Sequence, residues 1–263
     1  MRIRFSICLL FFLLSPEVFS EASLNYTVLR VLSHEIEDST QGLEVHDDVL
    51  AESTGGFGRS KLRLKALDGM RLLGEVDLPK HHFGEGVTRV DNRWIQLTWR
   101  NGVAHVYDLN LREQAQWRFE GEGWGLCFNG GQIVMSDGSS KLQRRDPQSF
   151  ELLGRVEVKF GGKPLHRLNE LECVAGLVLA NVWLTDVVVL IDPRSGEVLG
   201  YWDFSDLRMR FQKPPAWNPR EDVLNGIAYK PSSDSYLLTG KRWPALFEIS
   251  LEWPAEAAVR PER

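Results

Sequence analysis

The residues best suited to chemistry stand at the openings of short apolar runs that recur along the chain. In FGEGVTR, the carboxylate of Glu85 lies between two glycines and directly after Phe83. The segments TQGLEV, GWGLCF, NELECV and NGIAYK open alike, and each opening is followed by a second signature: ESTG, LTW, MSDG, ANVW or LTGK. The openings carry Gln41, Glu85, Trp124, Asn169 with Glu170, and Asn225, and the second signatures carry Thr54, Trp99, Asp137, Trp183 and Lys241. Aromatic groups with a few convergent polar groups are typical of a site for a small molecule or a peptide end.

The repeat also predicts the elements that position these residues. No stretch has the spacing of a long amphipathic helix, and short runs rich in Val, Ile, Leu and Trp alternate with turn signals such as NGG and DPRSGE. Each unit holds roughly 40–50 residues and four short strands, which is the size of a propeller blade. We therefore predict an all-β fold, a five-bladed β-propeller that forms a single domain over 21–263.

The ring needs an additional strand to close. The last unit, from Asn225, is short of its fourth strand, and the run NYTVLRVLSHE precedes the first opening. Because an open blade edge would expose unpaired backbone groups, we expect this N-terminal strand to complete the last blade. The five openings would then face one another around the central channel.

Packing alone explains any single tryptophan in such a fold, since large side chains wedge between blades. The chain has nine tryptophans, an unusually high number for 263 residues. A purely structural ring, however, would hold mostly small or apolar side chains, whereas this ring mixes tryptophan with Gln, Glu, Asn, Asp and Lys. The set as a whole therefore favours a binding or catalytic site.

The N-terminus has the pattern of a secretory signal peptide over 1–20. Arg2 and Arg4 precede an apolar run, and Val18-Phe19-Ser20 places small residues at the cleavage positions. We expect a periplasmic or secreted protein with no membrane insertion after cleavage. Two cysteines would remain, Cys127 and Cys173; two thiols in a large core are more often buried apolar side chains, so we expect free thiols rather than a bridge.

The charge excludes one class of partner. The net charge is −5, and no run of Lys or Arg occurs, so nucleic acid is not an expected partner. No CxxC or HExxH pattern indicates a zinc site. We expect a monomer.

Eleven segments, in order, resemble the glutamine cyclotransferases of the plant (papaya) and bacterial type. They are TQGL, ESTGGFGRS, FGEG, QLTW, GEGWGL, SDGSS, LNELE, ANVW, IDPRSGEV, VLNGIAY and LTGKRWPALFEI. The resemblance covers roughly residues 40–251. It implies a five-bladed propeller that converts the N-terminal glutamine of a peptide or protein into pyroglutamate and releases ammonia, with no cofactor required for the chemistry.

The resemblance also implies roles for the residues. The family assigns proton transfer to the Glu of FGEG, here Glu85, and a surrounding of aromatic side chains would raise the pKa of that carboxyl by desolvation. Lys241 and Asn169 are expected to assist catalysis by stabilising the oxyanion. The residues expected to bind the substrate are Gln41, Phe83, Trp99, Trp124, Trp183 and Asn225. The family has an aromatic residue just before TQGL where this chain has Ser39, which puts substrate preference in doubt.

Two other classes of function stay open. A non-catalytic propeller could bind a peptide end or a partner protein through the same face. A calcium-dependent propeller hydrolase could use Glu85, Asn169, Asn225 and Asp137 as oxygen ligands, which suit Ca²⁺. A calcium-dependent hydrolase gives no reason for so many tryptophans near the site. A structural Ca²⁺ in the central channel is compatible with every one of these functions.

Overall fold

A computed structural model of the chain describes residues 23–257, so the expected signal peptide at 1–20 lies outside the described residues. Within that range the helices are two short 3₁₀ turns, Ser205–Met209 and Ala255–Ala257. No helix in this part of the chain is both long and apolar enough to span a bilayer. The strands are β1 (Tyr26–Ser33), β2 (Thr40–His46), β3 (Val49–Thr54), β4 (Lys61–Ala66), β5 (Leu72–Asp77), β6 (Gly84–Val90), β7 (Arg93–Thr98), β8 (Val103–Asp108), β9 (Glu113–Arg118), β10 (Leu126–Phe128), β11 (Ile133–Met135), β12 (Lys141–Arg145), β13 (Leu152–Glu157), β14 (Lys159–Phe160), β15 (Lys163–Pro164), β16 (Leu168–Val174), β17 (Leu177–Val182), β18 (Val187–Ile191), β19 (Val198–Asp203), β20 (Leu224–Lys230), β21 (Ser235–Gly240) and β22 (Ala245–Leu251).

Five antiparallel sheets of four strands each form the blades of the propeller. Blade 1 is β2–β5, blade 2 is β6–β9, blade 3 is β10–β13 and blade 4 is β16–β19. Blade 5 has the strand order β1-β22-β21-β20, and β14 and β15 form a small hairpin between blades 3 and 4. The innermost strands β2, β6, β10, β16 and β20 contact one another in ring order. The predicted five-bladed propeller is confirmed.

The N-terminal strand closes the ring as expected. It pairs antiparallel with β22, with Tyr26 opposite Leu251 and Ser33 opposite Ala245. The first strand of the chain therefore completes the last blade and covers an edge that would otherwise expose its backbone groups.

The apolar core is divided among the five interfaces between neighbouring blades. Each of five buried clusters combines side chains from two adjacent blades. Trp94, Trp202 and Trp243 belong to these clusters and are essentially inaccessible to solvent. Three of the nine tryptophans are thus explained by packing between blades, because a large ring fills the wedge that two twisted sheets leave between them.

The glycines around Glu85 have a steric cause. A Cβ atom on Gly86 would lie 2.6 Å from the backbone nitrogen of Leu126 in the next blade, and one on Gly84 would lie 2.7 Å from the carbonyl oxygen of Thr54 in the preceding blade. Blades 1 and 3 therefore approach this segment of β6 from both sides so closely that only glycine fits.

The expectation of free thiols is wrong, because Cys127 and Cys173 form a disulfide. The two residues lie on the neighbouring inner strands β10 and β16, with their Cα atoms 5.4 Å apart, a separation that suits a bridge. The bond ties blade 3 to blade 4 near the axis. Sequence alone did not place the two cysteines opposite each other, because the contact depends on how two separate blades stack.

Candidate functional site

A cavity of about 450 Å³ opens among the starts of the inner strands, and all five blades contribute to it. It is lined by Ser39, Gln41, Gly55, Gly56, Arg59, Phe83, Glu85, Trp99, Trp124, Asn169, Trp183, Arg220, Glu221 and Lys241. Of the nine residues that the sequence suggested for catalysis or binding, Asn225 alone is not among those that line this cavity. The volume is within the range of cavities that bind small ligands.

Breaks in strand pairing direct the opening residues toward the cavity. Four inner strands depart from regular register at the same place: between Thr40 and Gly42, Gly84 and Val87, Leu168 and Leu171, and Leu224 and Ile227. The candidate residues Gln41, Glu85, Asn169 and Asn225 lie within these breaks. A bulge of this kind frees a side chain from the regular in-and-out alternation of a strand, which is why bulges are common beside active sites.

A repeated backbone hydrogen bond places the residues of the second signatures beside those of the openings. The N–H of Trp99 donates to the carbonyl of Phe83 at 2.9 Å, and the N–H of Lys241 donates to that of Val223 at 2.9 Å. In blade 1 the corresponding donor is Gly55, which bonds to Ser39, so Gly55 and not Thr54 occupies this position. A Cβ atom on Gly55 would lie 2.3 Å from the ring of Phe83, so its absence makes room for that ring.

Glu85 is a buried carboxyl group, with 6% of its surface exposed. Burial raises its pKa to about 8, opposed by the positive charge of Lys241 and assisted by the negative charge of Glu122. Burial in turn lowers the pKa of the Lys241 ammonium, which the charge of Glu85 partly restores. The site thus holds an acid and an amine whose pKa values are displaced toward neutrality from opposite sides, as is common in catalytic sites.

Aromatic side chains form the walls. The rings of Trp124 and Trp183 meet edge to face with centroids 5.4 Å apart, and those of Phe83 and Trp99 do the same at 5.7 Å. Ser39 lines the cavity with a small side chain where the similar family has an aromatic residue. Phe57, largely exposed, packs edge-on against Phe83 at 5.4 Å and extends that aromatic wall outward.

The amide side chains at the blade openings differ in their hydrogen bonding. Gln41 and Asn169 line the cavity, and their buried side-chain oxygens have no hydrogen-bond partner in the described part of the chain. Acceptors of this kind are costly to bury without a partner. Asn225 donates through Nδ2 to the carbonyl of Thr40 at 3.0 Å, which ties blade 5 to blade 1, and its buried Oδ1 also has no partner among the described residues.

The four residues of the calcium alternative are not assembled at this cavity. Glu85 and Asn169 line it, but Asp137 accepts hydrogen bonds from the Ser139 backbone at 3.0 Å and from the Gln143 side chain at 2.9 Å, within its own blade. Glu170, the residue after Asn169 in β16, accepts the backbone N–H groups of two other blades and has a pKa raised well above its usual value by burial. That carboxyl links inner strands together.

One other acidic cluster lies at the seam between blades 5 and 1. Within residues 23–257, the one group of three His, Cys, Asp or Glu side chains close enough to share an ion is His34, Asp38 and Glu52. Lys65 donates to Glu52 at 2.9 Å, and Arg63 donates to Asp38 at 2.6 Å. Because these cations already neutralise the carboxylates, the cluster is a buried salt-bridge network and does not fit a metal ion.

Several residues of the site were not assigned by sequence reasoning. Arg59, Arg220 and Glu221 add charged groups to the cavity, and they come from loops outside the repeated openings. Glu122 accepts hydrogen bonds from two of the tryptophans of the cavity. Glu122 lies in GEGWGL, one of the segments that resemble the family, but just before the repeated opening GWGLCF, so the repeat gave no signal for a carboxylate two residues before Trp124.

Comparison with known proteins agrees with the geometry. The family model described as glutamine cyclotransferase matches residues 6–251. The glutaminyl-peptide cyclotransferase of Arabidopsis thaliana is 35% identical over 230 residues, which cover 86% of this chain and 71% of that protein. The crystal structure of Myxococcus xanthus glutaminyl cyclase superposes with a TM-score of 0.79 at 37% identity and covers 86% of this chain and 96% of that one. The chain therefore belongs to the glutamine cyclotransferase family.

Proposed function

We propose that this protein is a glutaminyl-peptide cyclotransferase, which closes the N-terminal glutamine of a peptide or protein into pyroglutamate and releases ammonia. Family membership supports the activity, since relatives that match most of the chain carry this name. The observation in the structure that best supports it is the buried carboxyl of Glu85, whose pKa is raised to about 8 in a cavity walled by tryptophans.

The reaction is a chain of proton transfers around one new bond. The carboxylate of Glu85 takes a proton from the substrate's α-ammonium group, whose own pKa is about 8, so the transfer is nearly balanced in energy. The neutral amine attacks the side-chain amide carbon, and the carbonyl oxygen becomes an oxyanion. Glu85 then returns its proton to the departing amide nitrogen and accepts one from the attacking nitrogen as the tetrahedral intermediate collapses. The proton leaves with ammonia as ammonium, and Glu85 is restored.

Lys241 and Asn169 are the groups of this cavity suited to the oxyanion. Lys241 is half-buried on the cavity wall, and a cation partly held away from water stabilises developing negative charge more strongly than one in solvent. The amide of Asn169 supplies N–H donors at the same cavity. Gln41 lines the same cavity and offers an amide group to the polar atoms of the substrate.

The aromatic residues would hold the substrate and exclude water. Phe83, Trp99, Trp124 and Trp183 surround a space in which the methylene groups of a glutamine side chain would lose contact with solvent. Exclusion of water also prevents hydrolysis of the amide in place of cyclisation.

This chemistry needs no cofactor, because every proton is carried by Glu85 and the substrate. We therefore expect turnover to be unaffected by a chelator. A calcium-dependent hydrolase would instead lose activity, and a structural cation in the channel would show itself as a chelator-induced fall in melting temperature.

The activity is tested with a peptide that begins with glutamine, analysed by mass spectrometry for the loss of ammonia. We expect cyclisation to be fastest near pH 8, since both Glu85 and the substrate amine titrate there. At lower pH Glu85 is already protonated and cannot take a proton from the ammonium group. At higher pH both groups are deprotonated, so no proton is left for the departing nitrogen. A peptide that begins with asparagine should bind but should not cyclise, because its shorter side chain cannot form the ring of pyroglutamate. Binding of the glutamine peptide without ammonia release would identify a non-catalytic binder.

We also propose that the protein is exported, with cleavage after Ser20. The Cys127–Cys173 disulfide supports this, since such bonds persist in oxidising compartments. N-terminal sequencing of protein recovered from its host should begin near Glu21, and soluble protein that retains Met1 would contradict export.

A further inference from the structure

Glu122 lies in the turn between β9 and β10, and its carboxylate contacts two of the cavity's tryptophans. Its Oε2 atom accepts the indole N–H of Trp99 at 2.7 Å and that of Trp124 at 3.0 Å. Its Oε1 atom accepts the Nε–H of Arg100 at 2.8 Å. Both oxygens are therefore engaged, and one of them joins two indole rings.

The bridge spans two blades. Trp99 follows β7 of blade 2, and Trp124 precedes β10 of blade 3. The backbone N–H of Gly123 donates to the carbonyl of Trp99 at 2.9 Å and joins the two segments, but it does not fix the rotation of either indole ring. The indole nitrogen is a donor only, and a carboxylate is its strongest protein acceptor. A shared acceptor restricts the rotation of both rings about their side-chain bonds, because either rotation would break a charge-assisted hydrogen bond.

The surroundings complete the arrangement. The guanidinium of Arg100 lies over the ring of Trp99, 3.7 Å from its centroid, so that ring is held at its face and at its nitrogen. The ring of Trp124 lies against Gly138, where a Cβ atom would come within 2.6 Å of it. Glu122 thus acts on rings whose other sides are already packed.

Glu122 also carries charge next to the proposed acid and base. Burial alone would raise its pKa, but hydrogen bonds from Trp124, Arg100 and Trp99 hold the pKa below its usual range, so the group is ionised at neutral pH. This negative charge raises the pKa of Glu85, in addition to the larger effect of burial.

We propose that Glu122 is a positioning residue for cyclisation: its carboxylate, through hydrogen bonds from both indole nitrogens, holds the rings of Trp99 and Trp124 as adjoining walls of the cavity. The proposal rests on the function proposed above. It assigns Glu122 no contact with the substrate.

The kinetic test is Glu122→Gln, assayed with the glutamine peptide across pH 5–10. The amide cannot accept from both indoles and Arg100 and carries no charge. We expect kcat/KM at the optimum to fall about 10-fold, the usual effect of losing one hydrogen bond to a charged group, with most of the change in KM. The acid limb of the profile should move to lower pH, because Glu85 ionises more readily without a neighbouring negative charge.

Arg100→Gln is the matched control. It removes the cation from the same carboxylate but leaves both indole hydrogen bonds, so the acid limb should stay or move to higher pH. A loss of activity in Glu122→Gln that is equal at all pH values, with no shift of the limb, would overturn the electrostatic role.

A second readout does not depend on activity. The indole N–H resonances of Trp99 and Trp124, assigned with Trp→Phe variants, should move upfield in Glu122→Gln while those of the other tryptophans stay in place. Unmoved resonances would refute the positioning role even if turnover fell. If the wild-type protein released no ammonia, the proposed function would fail, and the resonances alone would still decide whether Glu122 fixes the two rings.

Discussion

Glu85→Gln should reduce cyclisation of an N-terminal glutamine peptide by about 10²–10⁴-fold, the usual contribution of a positioned acid and base. The amide keeps the size of the side chain but cannot exchange the proton that the reaction requires. Peptide affinity should change little, because the aromatic walls remain. The measurement is kcat from ammonia release together with Kd by calorimetry, and near-normal kcat in the folded variant would exclude Glu85 as the proton carrier.

The same variant should also be at least as stable as the wild type. The pKa of Glu85 is about 8 in the folded protein and about 4.3 in an unfolded chain, so the folded state binds this proton more tightly. The free energy of unfolding of the wild type therefore falls as pH rises between these values, and the variant lacks that loss. The melting temperature of Glu85→Gln relative to wild type should increase from pH 5 to pH 8.5.

Glu170→Gln is the control, since it makes the same change in another buried carboxyl of the inner strands. Glu170 accepts the backbone N–H of Leu43 at 3.2 Å and that of Ile227 at 2.8 Å, and an amide can accept only one of them. We expect this variant to lose stability by about 1–3 kcal/mol and to keep its turnover at temperatures where it is folded. The pair separates loss of chemistry from loss of structure.

Much of this fold could be predicted from the sequence because each blade repeats the same local structure. The openings at Gln41, Glu85 and Asn169 recur because each inner strand bulges at the same place, and a bulge repeated at one spacing leaves a visible sequence pattern. The closing strand could be predicted from an unpaired edge alone. Both inferences depend on local pairing within a blade.

The features that could not be predicted from the sequence depend on contacts between blades. Asn225 occupies the same position in its strand as Asn169. Its amide nevertheless donates to the carbonyl of Thr40 in the adjacent blade, and the residue does not line the cavity. The Cys127–Cys173 bridge and the joint hold of Glu122 on Trp99 and Trp124 likewise need the relative placement of two sheets. That placement follows from side-chain packing over the whole interface, which no single segment records.

The largest effect on stability is expected at the seam where the ring closes. His34 directly follows the closing strand β1, and its Nε2 lies 2.8 Å from Oε1 of Glu52 in blade 1. Glu52 is inaccessible to solvent and also accepts from Thr40 at 2.7 Å and from Lys65 at 2.9 Å. Burial alone would raise the pKa of Glu52, but the charges and hydrogen bonds of His34 and Lys65 hold it well below its usual range.

Glu52→Ala should destabilise the protein by about 3–5 kcal/mol, because it leaves the buried His34 and Lys65 without their anion. For a domain of this size that is roughly a 10 °C fall in melting temperature. Since the pKa of Glu52 is lowered in the folded state, the wild-type advantage should be full above about pH 4.3 and shrink as pH falls further. Glu75→Ala removes a partly exposed partner of Lys61 and Arg63 and should cost no more than about 1 kcal/mol. Equal effects of the two substitutions would mean that the buried network does not hold the ring closed.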